Sequence, residues 1–251
     1  MEIDLFYVSL LLIAGLAAGF VNTIAGGGSI FTLPVLMLMG MPADVANGTN
    51  RVGVLIQSLA GVRGYNRHNK LDRDAIAPIL VPTLIGGLVG SFVASIIPPA
   101  ILKPILIGTM MAITAVIVLK PSTLPSQGEQ PITIREKPVA WLWIFLAGLY
   151  GGFIQAGVGF IMITAFAGVL RYDLVRANAL KMLCTLLLTV VALTVFIFQG
   201  QVVWLPGLIL GVGSAVGVNL SVRFAIAAKQ QTLKWILLAM AMAVCVAALV
   251  K

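Results

Sequence analysis

Two polar stretches interrupt an otherwise apolar chain, and both contain groups suited to holding an anion. The first, "NTIAGGGSIFTLP" from Asn22 to Pro34, offers Asn22 and Thr23, the glycines Gly26, Gly27 and Gly28, and then Ser29. The second, "QAGVG", offers Gln155, Gly157 and Gly159. Consecutive glycines let a backbone leave helical geometry without steric cost. The N–H groups freed in this way cannot stay unpaired in hydrocarbon, so they must line a cavity, water or a ligand. A short helix starting at Ser29 would aim its positive N-terminal end into that space, and a second from Phe160 would do the same.

Each break is followed by an asparagine-bearing helix start. "ADVANGTNR" (43–51) contributes Asn47, Thr49, Asn50 and Arg51, and "DLVRANALK" (173–181) contributes Asn178 and Lys181. A cation inside a membrane span is expensive and marks function by default. Arg51 and Lys181 also lie within two turns of a helix start, so snorkelling to the interface is an alternative reading. The amides and hydroxyls could instead serve as interhelical hydrogen bonds, and for Gln57 that reading is preferred.

Other chemistries lack their residues. The acids nearest the spans, Asp44 and Asp173, stand at helix starts where N-capping accounts for them. No carboxylate is expected mid-membrane, which disfavours a cation substrate, a metal or a buried proton relay. His68, the single histidine, falls in a basic loop. Cys184 and Cys245 are isolated in apolar runs and read as core filler. No nucleophile–base pair or metalloprotease pair occurs, and "AGGGS" lacks the strand and the Lys-Ser/Thr of a nucleotide loop, so no enzyme and no cofactor is expected.

The elements that position these residues follow from composition. Of 251 residues, 60% are hydrophobic and 10% charged, against roughly 25% charged in soluble domains. An all-α polytopic membrane protein results, because helices alone hide so much apolar surface with the backbone satisfied. The acidic start "MEIDLFYV" reads as part of the first span rather than a signal peptide. Helices are expected at 5–21, 30–40, 44–62, 75–96, 100–119, 139–155, 160–170, 174–199, 202–222 and 231–250. The hydrophilic segment 120–138 divides an N-terminal transmembrane repeat, 1–119, from a C-terminal one, 139–251.

The second half repeats the first. Gly19-Phe20-Val21-Asn22 matches Gly152-Phe153-Ile154-Gln155; Asn47 falls over Asn178, and Asn50 over Lys181. Gly86-Gly87-x-x-Gly90 matches Gly213-Ser214-x-x-Gly217. Each repeat is a glycine-broken helical hairpin followed by three transmembrane helices. An odd number of crossings inverts the second repeat relative to the first. Loop charge agrees. Arg63, Arg67, Lys70, Arg73, Lys120, Arg135, Lys137, Arg171, Arg176, Arg223, Lys229 and Lys234 fall on one side, which the positive-inside rule makes cytoplasmic. The acidic start, the Pro98-Pro99 turn with Lys103, the Gly200-Gln201 turn and Lys251 fall on the other, so both termini face away from the cytoplasm. The net charge of +8 is spread over these loops without aromatic interleaving, so it reads as membrane orientation rather than nucleic-acid binding.

Inverted repeats with glycine-interrupted helices at matching positions point to a transporter's substrate site. At these residues the chain resembles the sulfite exporter TauE/SafE family of membrane transporters. "GFVNTIAGGGSIFTLPVLMLMGMPADVANGTNRVGVLIQSLAG" is similar to that family's opening, and "GGFIQAGVGF" with "RANALKMLCTLLL" to its second half. Asn22, Gly26–Gly28, Pro34, Asn47, Thr49 and Asn50 match its pattern. The resemblance implies a plasma-membrane permease for sulfite, sulfonates or sulfoacetate. A negative cell interior favours export of such an anion by alternating access; an uptake permease or an anion channel on the same scaffold is the alternative, with a membrane enzyme or an assembly factor as the non-transport readings. The expected partners are a small anion and the lipid bilayer; the sequence neither requires nor forbids a homodimer.

Overall fold

The computed structural model describes residues 4–24, 26–119, 130–228 and 232. Nearly all of the expected helix 231–250 lies outside the described residues, as do Cys245, Lys120, Lys229, Lys234, Lys251 and the first part of the hydrophilic segment. Among the described residues all regular structure is helical: α1 Leu5–Ile24, α2 Ser29–Leu38, α3 Ala43–Arg67, α4 Ile76–Ile96, α5 Pro99–Leu119, α6 Val139–Phe153, α7 Val158–Ile163, a π-helical turn Thr164–Val169, α8 Leu174–Phe198 and α9 Trp204–Ala227. Four of these helices, α1, α4, α8 and α9, are long and apolar enough to cross a membrane. This is a multi-pass membrane protein.

Small residues bring the backbones together. In lipid there is no hydrophobic drive between helices, so glycine-lined faces that allow close approach do that work. α1 lies along α9, where a Cβ on Gly15 would be 3.1 Å from Ser214 N and one on Gly217 would be 2.9 Å from Phe20 N. α4 lies along α6 in the same manner, with Gly90 against Leu149 and Phe153 and Gly152 against Gly87. Each half thus places its fourth helix on the first helix of the other half. The outward faces of α1, α4 and α9 carry the exposed apolar side chains, among them Ile13, Leu16, Leu88, Phe92, Val212 and Val216.

α3 and α8 form the centre and run antiparallel: Gly48 meets Phe196, and Gly61 meets Met182. α9 runs parallel to α3, with Gly53 against Leu210 and Gly64 against Val222. Tyr65 at the end of α3 is fully buried against Ala179, Met182, Val218 and Val222.

Several boundaries differ from expectation, for local reasons. α1 continues to Ile24, so Asn22 and Thr23 belong to its last turn rather than to the break. The second short helix starts at Val158, two residues before Phe160, because Gly157 (φ +80°) makes the left-handed turn that lets a helix begin there. Asp173 caps α8, accepting from the N–H groups of Val175 and Arg176 at 3.0 Å each. Asp44 does not cap α3, whose N-cap is Pro42; it accepts instead from Gln201 Nε2 at 3.2 Å.

Candidate functional site

The two breaks meet. Gly26 turns the chain out of α1 with φ +92°, a conformation open chiefly to glycine. The N–H of Gly159 donates to Gly26 O across a 3.2 Å bond between the halves. A Cβ on either glycine would land on the backbone of the other. Gly27 faces the ring of Phe160, with a Cβ there only 2.7 Å from Cε2, and Gly28 packs on Ala18 and Asn22. Tyr150 reaches over the second break to donate to Ala156 O at 2.6 Å.

Beside the first break sits a buried polar cluster. Asn50 Nδ2 donates to Ser29 Oγ at 3.0 Å, and Thr32 Oγ1 donates to Asn50 Oδ1 at 2.6 Å. This joins the N-terminal turn of α2 to α3, and Ser29, Thr32 and Asn50 are all nearly fully buried.

Arg51 and Lys181 are both fully buried, so neither snorkels. Arg51 Nη1 donates to Gly151 O at 2.6 Å and to Gln155 Oε1; Nη2 donates to Gly152 O at 2.7 Å and to Asn47 Oδ1 at 3.5 Å. The guanidinium carbon lies 5.5 Å from the centre of the Phe196 ring, within cation–π reach. Lys181 Nζ donates to Asn22 O at 2.5 Å, Thr23 O at 3.2 Å and Asn178 Oδ1 at 2.7 Å. Asn47 Nδ2 reaches Phe153 O at 2.9 Å, and Asn178 Nδ2 reaches Ile24 O at 3.4 Å.

The structural counterpart of Lys181 is therefore Arg51, not Asn50. The two cations sit one residue out of register relative to their shared asparagines, so alignment on asparagine hides the match. They hold different helix ends, Arg51 that of α6 and Lys181 that of α1, and their backbones stand apart. Lys181 neighbours Met182, which packs on Gly61, ten residues along α3 from Arg51, or about 15 Å of helix.

Of the residues singled out from sequence, Asn22, Thr23, Asn47, Gln155, Asn178, Arg51 and Lys181 are joined in these networks. Ser29 and Asn50 form the cluster, and Gly26, Gly27, Gly28, Gly157 and Gly159 shape the breaks. Thr49 is elsewhere: its hydroxyl accepts from Val203 N–H at 2.9 Å, before the first turn of α9. Gln57 is buried with Nε2 unpaired among the described residues, so the expected interhelical bond is not made. Sequence reasoning passed over Thr32, Ser58 and Thr189. Ser58 Oγ, Thr189 Oγ1 and Arg51 Nε are buried and without partners among the described residues. The spacing of Arg51, Ser58 and Tyr65, seven residues apart, would have revealed a polar stripe on α3.

A multi-pass helical bundle that gathers amides, hydroxyls and cations inside, around two broken helices, has the build of a membrane transporter. The chain belongs to the sulfite exporter TauE/SafE family, whose family model matches residues 11–248. It is 28% identical over 241 residues to a probable membrane transporter protein, ORF9, of a Sinorhizobium species, covering 95% of this chain and 91% of that one. A probable membrane transporter protein of Haemophilus influenzae is 27% identical over 228 residues, covering 89% and 87%. The probable membrane transporter protein YfcA of Escherichia coli K12 is 26% identical over 232 residues, covering 92% and 82%.

Proposed function

We propose that the protein is a plasma-membrane secondary transporter that exports small sulfur-containing anions, sulfite, sulfonates or sulfoacetate, by alternating access. The anion is held where the two broken helices meet, and the observation that carries this is the Gly159–Gly26 contact beside the buried Ser29–Asn50–Thr32 cluster. Backbone at membrane depth that departs from helix is tolerated only beside protein or a water-filled cavity. The α2 end with Ser29, and the hydroxyls of Ser58 and Thr189, unpaired among the described residues, offer donors to an oxyanion.

The two halves are read as inverted repeats, 1–119 and 139–251. The antiparallel course of α3 and α8 supports this, as does the exchange of first and fourth helices between halves. It also gathers basic residues at one end. The C-terminal end of α3, with Arg63 and Arg67, lies by the start of α8, with Arg171 and Arg176, where Tyr172 Oη donates to Asp72 at 3.2 Å. Arg223 of α9 lies at that end too, because Gly64 meets Val222. That end is assigned to the cytoplasm, with both termini outside. Energetics favours export: moving a monovalent anion out of a negative interior gains roughly 2.3 kcal/mol per 100 mV, without a coupled ion.

The test is current from purified protein in proteoliposomes on a supported membrane, challenged with sulfite, sulfoacetate, taurine and chloride. A saturable current for a sulfur anion is expected. Flux beyond carrier turnover would make the protein a channel, and silence toward all four would remove electrogenic anion transport.

A further inference from the structure

Two asparagine–cation pairs are arranged alike. Asn47 and Arg51 of α3 hold the carbonyls of Gly151, Gly152 and Phe153, which end α6. Asn178 and Lys181 of α8 hold the carbonyls of Asn22, Thr23 and Ile24, which end α1. In both cases three consecutive carbonyls are covered, and in both the pair and the helix end belong to opposite halves. The last carbonyls of a helix have no intrahelical donor, and that end carries about half a negative charge. An amide beside a cation answers both needs.

Counting donors separates this role from substrate binding. An ammonium has three N–H groups, and Lys181 Nζ faces three acceptors, Asn22 O, Thr23 O and Asn178 Oδ1. Both Nη groups of Arg51 are engaged, leaving only Nε. Just beyond the two sealed helix ends lie Gly26 and Gly159, in mutual contact.

We propose that the Asn47–Arg51 and Asn178–Lys181 pairs are positioning residues rather than substrate ligands: each clamps the end of the other half's broken helix, and together they hold Gly26 against Gly159. The consequence for turnover rests on the transport reading; the clamp itself rests on geometry, and two measurements keep them apart.

The first is hydrogen–deuterium exchange on the purified full chain. Lys181→Met should speed exchange at least tenfold in peptides spanning the first break while the second changes less than twofold. Arg51→Met should do the reverse. Asn178→Ala and Asn47→Ala should give the same pattern at about threefold, and serve if the methionine variants do not fold. Equal change at both breaks, or none at the clamped one, overturns the proposal. The second is flux in proteoliposomes with sulfite as the probe. Lys181→Met should lower maximal flux tenfold or more with KM within twofold, and Lys181→Arg should restore most of it. A tenfold rise in KM with maximal flux retained would put the cation on the substrate and overturn the proposal for that pair. If wild-type protein carries none of sulfite, sulfoacetate, taurine and chloride, the transport reading fails, while the exchange result still decides the clamp.

Discussion

A glycine can be required for its backbone conformation or for the space it leaves, and three glycines here separate the two. Gly40 adopts φ +83° with nothing among the described residues within 4 Å of where its Cβ would stand, so Gly40→Ala meets conformational strain there. Gly159 needs no left-handed backbone, but its Cβ would be driven into Gly26. Gly26 combines both, with φ +92° and a Cβ directed into Gly159. The left-handed strain is worth about 1–2 kcal/mol for an L-residue. Carbon atoms sit comfortably at about 3.5–4.0 Å, so the two breaks would have to separate by about 1 Å, and overpacking of that kind costs about 1–3 kcal/mol. Gly40→Ala and Gly159→Ala should therefore each lose a similar ~1–3 kcal/mol of stability, and Gly26→Ala about the sum of the two. Flux should not follow stability. Gly26→Ala and Gly159→Ala should lose at least tenfold in sulfite-driven current in proteoliposomes, while Gly40→Ala transports like wild type. Thermal unfolding in detergent supplies the stability scale. Wild-type current in Gly159→Ala, or an equal loss in Gly40→Ala, would refute the assignment of the meeting point as the site.

Three further outcomes follow from the same geometry. Gly27→Leu should abolish transport without abolishing membrane insertion, because the added side chain meets Phe160 at 2.7 Å and Ile30 at 3.3 Å; retained flux, measured beside surface expression, would count against the opening loop. Ser58→Ala and Thr189→Val should raise KM severalfold without lowering the unfolding temperature, since each removes a buried hydroxyl lacking a partner among the described residues, a liability of about 1–3 kcal/mol; lower stability with unchanged KM would make them structural. Asp173→Ala should cost about 1 kcal/mol by removing the α8 cap, seen as a lower unfolding temperature with KM unchanged.

Much of the architecture was legible because membrane helices announce themselves by apolar length, and because glycine and asparagine mark the breaks at recurring positions. The boundaries of α4, α6 and α8 followed within two residues from hydropathy and from Pro98-Pro99, whereas α3 runs to Arg67 and α9 to Ala227, each five residues past its expected end. What stayed hidden depends on partners distant in sequence. Nothing local in "GTNR" says that Arg51 reaches Gly151 and Gly152, or that Thr49 faces Val203. Aligning Asn50 with Lys181 kept the asparagines in register at the expense of the cations, whose shared task appears only when the ends of α1 and α6 are in view. Thr32 was overlooked because a threonine inside an apolar decapeptide looks like any other small interfacial residue until Asn50 is placed beside it.

That shared task alters how the fold can favour an anion. Arg51 and Lys181 are fully buried, and among the described residues no carboxylate is among their hydrogen-bond partners. The two helix ends that hold them offset about half a charge each, leaving about one unit of positive charge distributed over the centre. A field of that kind acts through low-dielectric surroundings without contact, and fixed donors that face an anion need no rearrangement to receive it. Attraction and contact can thus be divided between different groups. On the proposed reading the cations fix the breaks and set the sign of the field, while an oxyanion would meet hydroxyls, amides and backbone N–H groups that release it more readily than a bidentate arginine would. For a carrier that division is useful, because a site that binds too tightly cannot turn over. It predicts that Lys181→Arg, which keeps the charge, preserves anion selectivity over neutral solutes, whereas Lys181→Met weakens it even where some flux survives; equal selectivity in both variants would show that the field is not what the cations contribute.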